Sequence, residues 1–150
     1  MIHKEHWPFR QSWLDYVTRT WQGKGRVEQI KDDSPESIEF KERAFKAFFN
    51  QGIDFRYVKA YVSIQVPKDG IGYDEGYPHI HYPLDAITLV HYLQPGDVPA
   101  PLHIFDGDTV IEEVCPEPGL TVFMPNNLKH GVLKNNGTIN RTQLIATALR

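Results

Sequence analysis

A mainly β fold is predicted by three features of the 150-residue chain. From Phe55 onward apolar and polar residues alternate, short apolar runs are separated by clusters of Gly, Pro, Asn and Asp, and helical spacing is confined to the first third. Many short strands joined by such turns imply a β sandwich or barrel. The length suits one ordinary domain and is short for two. Residues 1–150 are therefore expected to form a single domain, with 1–54 a mainly helical support and 55–150 a β-barrel core.

The first helix is expected between Trp7 and Trp21, where Trp13, Leu14, Val17 and Trp21 recur at helical spacing and Pro8 suits a first turn; Gly23 and Gly25 end it. A second is better marked. Ser34 can cap it, Pro35 takes its first position, Glu36 favours the N-terminal dipole, and Ile38, Phe45, Phe48 and Phe49 follow at helical intervals before Asn50-Gln51-Gly52. Both precede the β region and are expected to buttress a sheet.

In the first long strand Val58, Ala60, Val62, Ile64 and Val66 share one face, and Tyr57, Lys59, Tyr61, Ser63 and Gln65 share the other. The polar face is either solvated or lines a pocket, with Tyr61, Ser63 and Gln65 as candidates. A Gly- and Pro-rich stretch, Pro67 to Pro78, is either a plain connection or a lid. After Pro83 a strand resumes over Ala86 to Leu93, and Gln94-Pro95-Gly96-Asp97 turns it. Short strands are expected around Leu102–Phe105, Val110–Val114, Leu120–Met124, Val132–Leu133 and Thr142–Leu149.

Composition excludes some functions. The chain is 41% hydrophobic and 23% charged with a formal charge of −3, and neither a basic stripe nor a block of like charge marks a nucleic-acid surface. Cys115 is the only cysteine, which rules out an internal disulfide and fits a reducing, cytoplasmic setting. No apolar run approaches the ~20 residues that cross a bilayer, and the N-terminus lacks the apolar core of a secretion signal, so no membrane association is expected.

The chemistry is concentrated in three histidines. His79 and His81, two apart on an extended segment, project to the same face, and His130 returns to meet them if the strands fold over one another. Neutral imidazoles that converge suit iron, zinc, nickel, copper or manganese. Asp85, four residues after His81, is either a carboxylate ligand or a turn-capping residue. Arg141 opens the last strand between the polar Asn140 and Thr142 and is either an ordinary surface arginine or a buried one, in which case its guanidinium would need an anion and pairs bidentately with a carboxylate. His91 is expected to be structural or external.

Together His79-Ile80-His81, the strand end His91-Tyr92-Leu93, the run Pro118 to Pro125, His130-Gly131-Val132 and Arg141 resemble the 2-oxoglutarate and Fe(II)-dependent oxygenases, over about the second half of the chain. The resemblance implies a double-stranded β-helix of jelly-roll, cupin-like form, with Fe(II) as cofactor and 2-oxoglutarate as cosubstrate. It implies that His79 or His81, with Asp85 and His130, bind iron; that Arg141 holds the distal carboxylate of 2-oxoglutarate; and that Tyr61 and Tyr92 add hydroxyl contacts. The family's usual His-x-Asp is here His-x-His, and the serine often found two residues after the arginine is Gln143.

The same residues also resemble the wider cupin superfamily, in which His79, His81, Asp85 and His130 would form one four-ligand site of a dioxygenase, isomerase or small-molecule binding protein. A metal-free sugar-binding or assembly module is the third class. The oxygenase reading is favoured by Arg141, which a plain cupin does not require. Its expected partner is a small-molecule or peptidyl substrate, and a homodimer is compatible with open strand edges.

Overall fold

The computed structural model describes residues 2–67, 78–98 and 100–150, so most of the expected lid, from 68 to 77, lies outside the described residues. Its elements are β1 (His3–His6), α1 (Gln11–Thr20), β2 (Val27–Gln29), α2 (Pro35–Asn50), β3 (Tyr57–Gln65), β4 (Ile87–Gln94), β5 (Leu102–Asp106), β6 (Thr109–Val114), β7 (Leu120–Pro125), β8 (His130–Gly131) and β9 (Arg141–Leu149). The strands form a six-stranded sheet in the order β1-β7-β4-β9-β3-β2 and a three-stranded sheet in the order β6-β5-β8, with antiparallel pairing throughout.

The expected barrel is thus corrected to two separate sheets. Among the described residues β5, β6 and β8 pair with no strand of the six-stranded sheet, and side chains meet between the sheets where a closed barrel would have a continuous ladder. Val90, Leu102, Ile104, Val114, Val122 and Met124 make that inter-sheet cluster. The second and larger core lies on the opposite face of the six-stranded sheet. There Ala60, Val62 and Ile64 of β3, with Leu144, Ala146 and Ala148 of β9, receive Trp13, Tyr16, Val17, Phe40, Ala44 and Phe48 from the helices. Period-2 alternation on β3 and β9 produces both faces at once.

The first helix begins at Gln11, later than the tryptophan spacing suggests, because residues 3–6 are extended and pair with β7. Gly119 makes that approach possible: its φ is +90°, and a Cβ there would lie 2.4 Å from the Trp7 carbonyl oxygen. The second helix starts as expected, with the Ser34 hydroxyl accepting from the Ser37 N–H at 3.4 Å and Pro35 in the first turn. Its buried face differs from the expected one. Phe40, Ala44, Ala47 and Phe48 pack on the sheet, whereas Ile38, Phe45 and Phe49 are 43%, 48% and 70% exposed. Two apolar stripes run along this helix at helical spacing, and the one that includes both small alanines fits against the sheet.

Candidate functional site

The strand residues that face away from the helices floor a cavity of about 530 Å³ between the sheets. β3 supplies Tyr61, Ser63 and Gln65; β4 supplies Thr88, Val90, Tyr92 and Gln94; β9 supplies Arg141, Gln143, Ile145 and Thr147. The polar face of β3 therefore lines a pocket, the second of its two sequence-level alternatives. Burial raises the phenol pKa of Tyr92, and burial together with the neighbouring Tyr57 raises that of Tyr61.

His79, His81 and His130 also line this cavity. The main chain brings them there. His79 and His130 form an antiparallel bridge, His79 N–H donating to the His130 carbonyl at 2.8 Å and His130 N–H to the His79 carbonyl at 3.0 Å. Asn126 holds the next residue: its carbonyl accepts from the His81 N–H at 2.9 Å, and its side-chain amide donates to the Pro83 carbonyl at 3.0 Å. Thr88 Oγ1 donates to Asn126 Oδ1 at 2.7 Å, so the segment between His81 and β4 is anchored at both ends.

One ring nitrogen from each of the three histidines lies within 4.8 Å of the others. The Nε2 atoms of His81 and His130 are 3.2 Å apart. Two imidazole nitrogens bound at the usual ~2.1 Å sit about 3.0 to 3.4 Å from each other for bond angles between octahedral and tetrahedral, so this pair has the spacing of co-ligands. His130 Nδ1–H donates to the Leu128 carbonyl at 2.9 Å, which leaves the Nε2 lone pair directed at the other two rings. Burial, and the proximity of His79 and His81, hold His130 down to about 4; burial and then His79 likewise lower His81. Both are neutral at neutral pH, the state a metal requires.

Asp85 is not brought to this point. Its side chain is 62% exposed, with its carboxylate 3.9 Å from Arg150 Nε, outside the 530 Å³ cavity. Pro83 and the turn before β4 carry it out of register with the histidines. Among the described residues no carboxylate joins the three imidazoles, and the expected four-donor set of His79, His81, Asp85 and His130 is not assembled.

Arg141 is buried at the end of the cavity bounded by Gln65 and Gln94. One guanidinium nitrogen donates to Gln65 Oε1 at 3.1 Å and to the Leu133 carbonyl at 2.7 Å, the other to the Lys134 carbonyl at 3.4 Å, and Nε has no partner among the described residues. Burial lowers its pKa, and among the described residues no carboxylate pairs with it. Gly96, at φ +97°, leaves the room it needs: a Cβ there would come within 3.1 Å of Arg141 Cγ. Asn135 secures the preceding loop by donating to the Gln65 and Ile139 carbonyls at 3.0 and 2.8 Å.

His91 belongs to the other face. It is fully buried between Trp7 and Trp13, with ring centroids at 5.1 and 5.3 Å, and is structural. Sequence reasoning missed Asn126 and Arg26, the latter also lining the cavity. Asn126 reads as an ordinary turn residue, and its role depends on a contact with Pro83 that spacing does not reveal. Arg26 stands in a Gly-rich stretch without periodicity.

Comparison with solved structures supplies the fold's relatives. A Pseudomonas putida prolyl-4-hydroxylase superposes with a TM-score of 0.73 at 14% identity, over 99% of this chain and 92% of that one. An oxidoreductase of the 2OG-Fe(II) oxygenase family from Burkholderia pseudomallei gives 0.64 at 14%, over 91% and 77%. The chain resembles the 2-oxoglutarate- and iron-dependent oxygenases in fold. AviO1 from Streptomyces viridochromogenes adds a TM-score of 0.54 at 13% identity, over 97% of this chain and 73% of that one. No family model and no curated relative matches the sequence. Among the described residues no helix is long and apolar enough to cross a membrane.

Proposed function

We propose that the protein is a non-haem Fe(II) and 2-oxoglutarate-dependent oxygenase that hydroxylates a small-molecule or peptidyl substrate. The observation that carries this reading is the meeting, in one cavity of an oxygenase-like fold, of three convergent imidazoles and a buried arginine with no acidic partner among the described residues. The two facing sheets are read as the double-stranded β-helix of that family, and residues 1–150 as one domain.

In this reading His79, His81 and His130 hold the iron, with His81 in the place where the family usually has a carboxylate. Bound iron with 2-oxoglutarate would supply the oxidising power for hydroxylation of a C–H bond. The protein's own contribution is positioning. The paired main chain of His79 and His130 sets two donors before any ligand arrives, and the His130–Leu128 hydrogen bond fixes one tautomer. Arg141, pinned by carbonyls that leave its Nε free, presents a cationic fork to the distal carboxylate of 2-oxoglutarate. Tyr61 and Tyr92 stay protonated and can donate to bound oxygens.

Anaerobic titration of the Fe(II)-loaded protein with 2-oxoglutarate tests this. The expected result is the weak visible charge-transfer band of bidentate chelation, lost in Arg141→Ala. Stoichiometric metal with no band in the wild type would overturn the oxygenase reading.

A further inference from the structure

The cavity holds a second arginine. Arg26 lines it, half buried, immediately before the edge strand β2, and its carbonyl accepts from the Ile64 N–H at 3.0 Å. β2 and β9 lie on opposite sides of β3, so Arg26 and Arg141 flank the same end of that strand, near Ile64 and Gln65. Their surroundings differ. Arg141 is committed to Gln65 and two carbonyls, whereas among the described residues the Arg26 side chain makes no hydrogen bond or ion pair.

The rest of the lining gives that freedom a meaning. Among the described residues around this cavity there is no aspartate or glutamate, although acidic residues outnumber Lys and Arg by 19 to 16 in the chain. Arg10, Arg19 and Arg150, outside the cavity, each meet a carboxylate. Apolar side chains also line the cavity, among them Val27, Ala100, Leu102, Val132 and Ile145, while Ser63 and Gln65, which flank Ile64 on β3, are the polar residues beside Arg26. A guanidinium at the edge of an apolar pocket recognises a planar anion by a two-pronged contact, and its desolvation favours a ligand that brings the countercharge with it. A carboxylate matches that planar fork, whereas a doubly charged phosphate draws several donors or a backbone nest.

We infer that Arg26 reads the substrate: the pocket takes a small carboxylic acid with an apolar body, its carboxylate paired to Arg26 and its body lying along the apolar wall. The assignment of this acid as the molecule to be oxidised rests on the oxygenase reading; the acid-binding pocket itself does not. At about 530 Å³ the cavity lies within the range that holds a small ligand, with space beyond a five-carbon cosubstrate.

The test is calorimetric titration of the Fe(II)-loaded protein, without oxygen, with straight-chain acids from butanoate to decanoate, phenylacetate and hydrocinnamate. Each acid is compared with its primary amide and with the phosphate ester of the corresponding alcohol. At least one acid is expected to bind, about tenfold or more tighter than its amide, and Arg26→Ala to remove that preference while Arg26→Lys restores part of it. Arg141→Ala is expected to weaken 2-oxoglutarate instead. The inference is overturned if no acid binds, if acid and amide bind alike, if the phosphate ester is preferred, or if Arg26→Ala weakens 2-oxoglutarate and leaves the acids untouched. Arg26-dependent acid binding in a protein that ignores 2-oxoglutarate would sustain the pocket and remove the oxygenase reading.

Discussion

On one face of the six-stranded sheet His91 is sealed between Trp7 and Trp13; on the other, His79, His81 and His130 turn toward one another at the edge of a cavity. Burial holds both His91 and His130 neutral, each near a pKa of 4. The difference lies in what the lone pairs meet. The Thr121 hydroxyl donates to the Gly119 carbonyl and accepts from His91 Nδ1–H at 2.8 Å, leaving Nε2 buried and without a hydrogen-bond partner among the described residues. On the cavity face the ring nitrogens converge. A depressed histidine pKa thus marks burial in either setting, and convergence of donors is what marks a site.

The contrast is broken most strongly at the helix-backed face. Phe48→Ala removes a fully buried ring from that core and is expected to destabilise the protein by about 3–5 kcal/mol. Phe49→Ala, one residue on and 70% exposed, is expected to change stability by no more than about 0.5 kcal/mol. Denaturant unfolding of the two variants checks both values; equal losses would mean that the helix is rotated relative to the sheet.

His91 gives the next largest effect, and it depends on pH. The ring titrates near 6.5 when unfolded and near 4 when folded, because of burial and then the charges of Arg43 and Arg10. As pH falls through this window the unfolded chain takes up the proton first. The stability associated with neutral His91 is whole above about pH 6.5, declines toward pH 4 and is constant below, a total of about 3 kcal/mol at most. Unfolding free energies from pH 7 to pH 4 should fall less steeply in His91→Leu than in the wild type; parallel curves would show that this ring is not the group responsible.

On the cavity face the expected losses are of binding. His130→Ala should weaken metal binding by more than about 100-fold, and Asp85→Ala should change it by less than about twofold. Competition with a chromogenic chelator measures both. A large loss in Asp85→Ala would return that carboxylate to the site.

How much of this was legible follows from where side-chain periodicity carries information. The alternation of β3 displayed both faces of the sheet, and the capped start of α2 was plain in Ser34-Pro35-Glu36. β1 and β2 were missed because they are short edge strands, His3-Lys4-Glu5-His6 and Val27-Glu28-Gln29, whose residues stay largely exposed and so show no apolar period. The three histidines and Arg141 were visible as residue types, since few other side chains do their work. For Asp85 spacing leaves two alternatives, ligand or turn-capping residue, because Pro83 interrupts the strand; the side chain lies in the turn before β4, away from the histidines. Arg26 had no local signal; its setting depends on β2 lying beside β3, a contact distant in sequence.

The hydrogen bonds that join His79 to His130 and His81 to Asn126 are made by peptide groups alone. Their geometry is indifferent to which side chains the paired positions carry. The corner where the two sheets meet is therefore a socket into which donors of different kinds can be fitted without rebuilding the frame. The imidazole at position 81 is one such donor, and exchanging it for another side chain leaves that main-chain bond in place. Loss of a donor from it leaves a notch in an intact sheet, so a lineage can lose metal chemistry and still retain the fold.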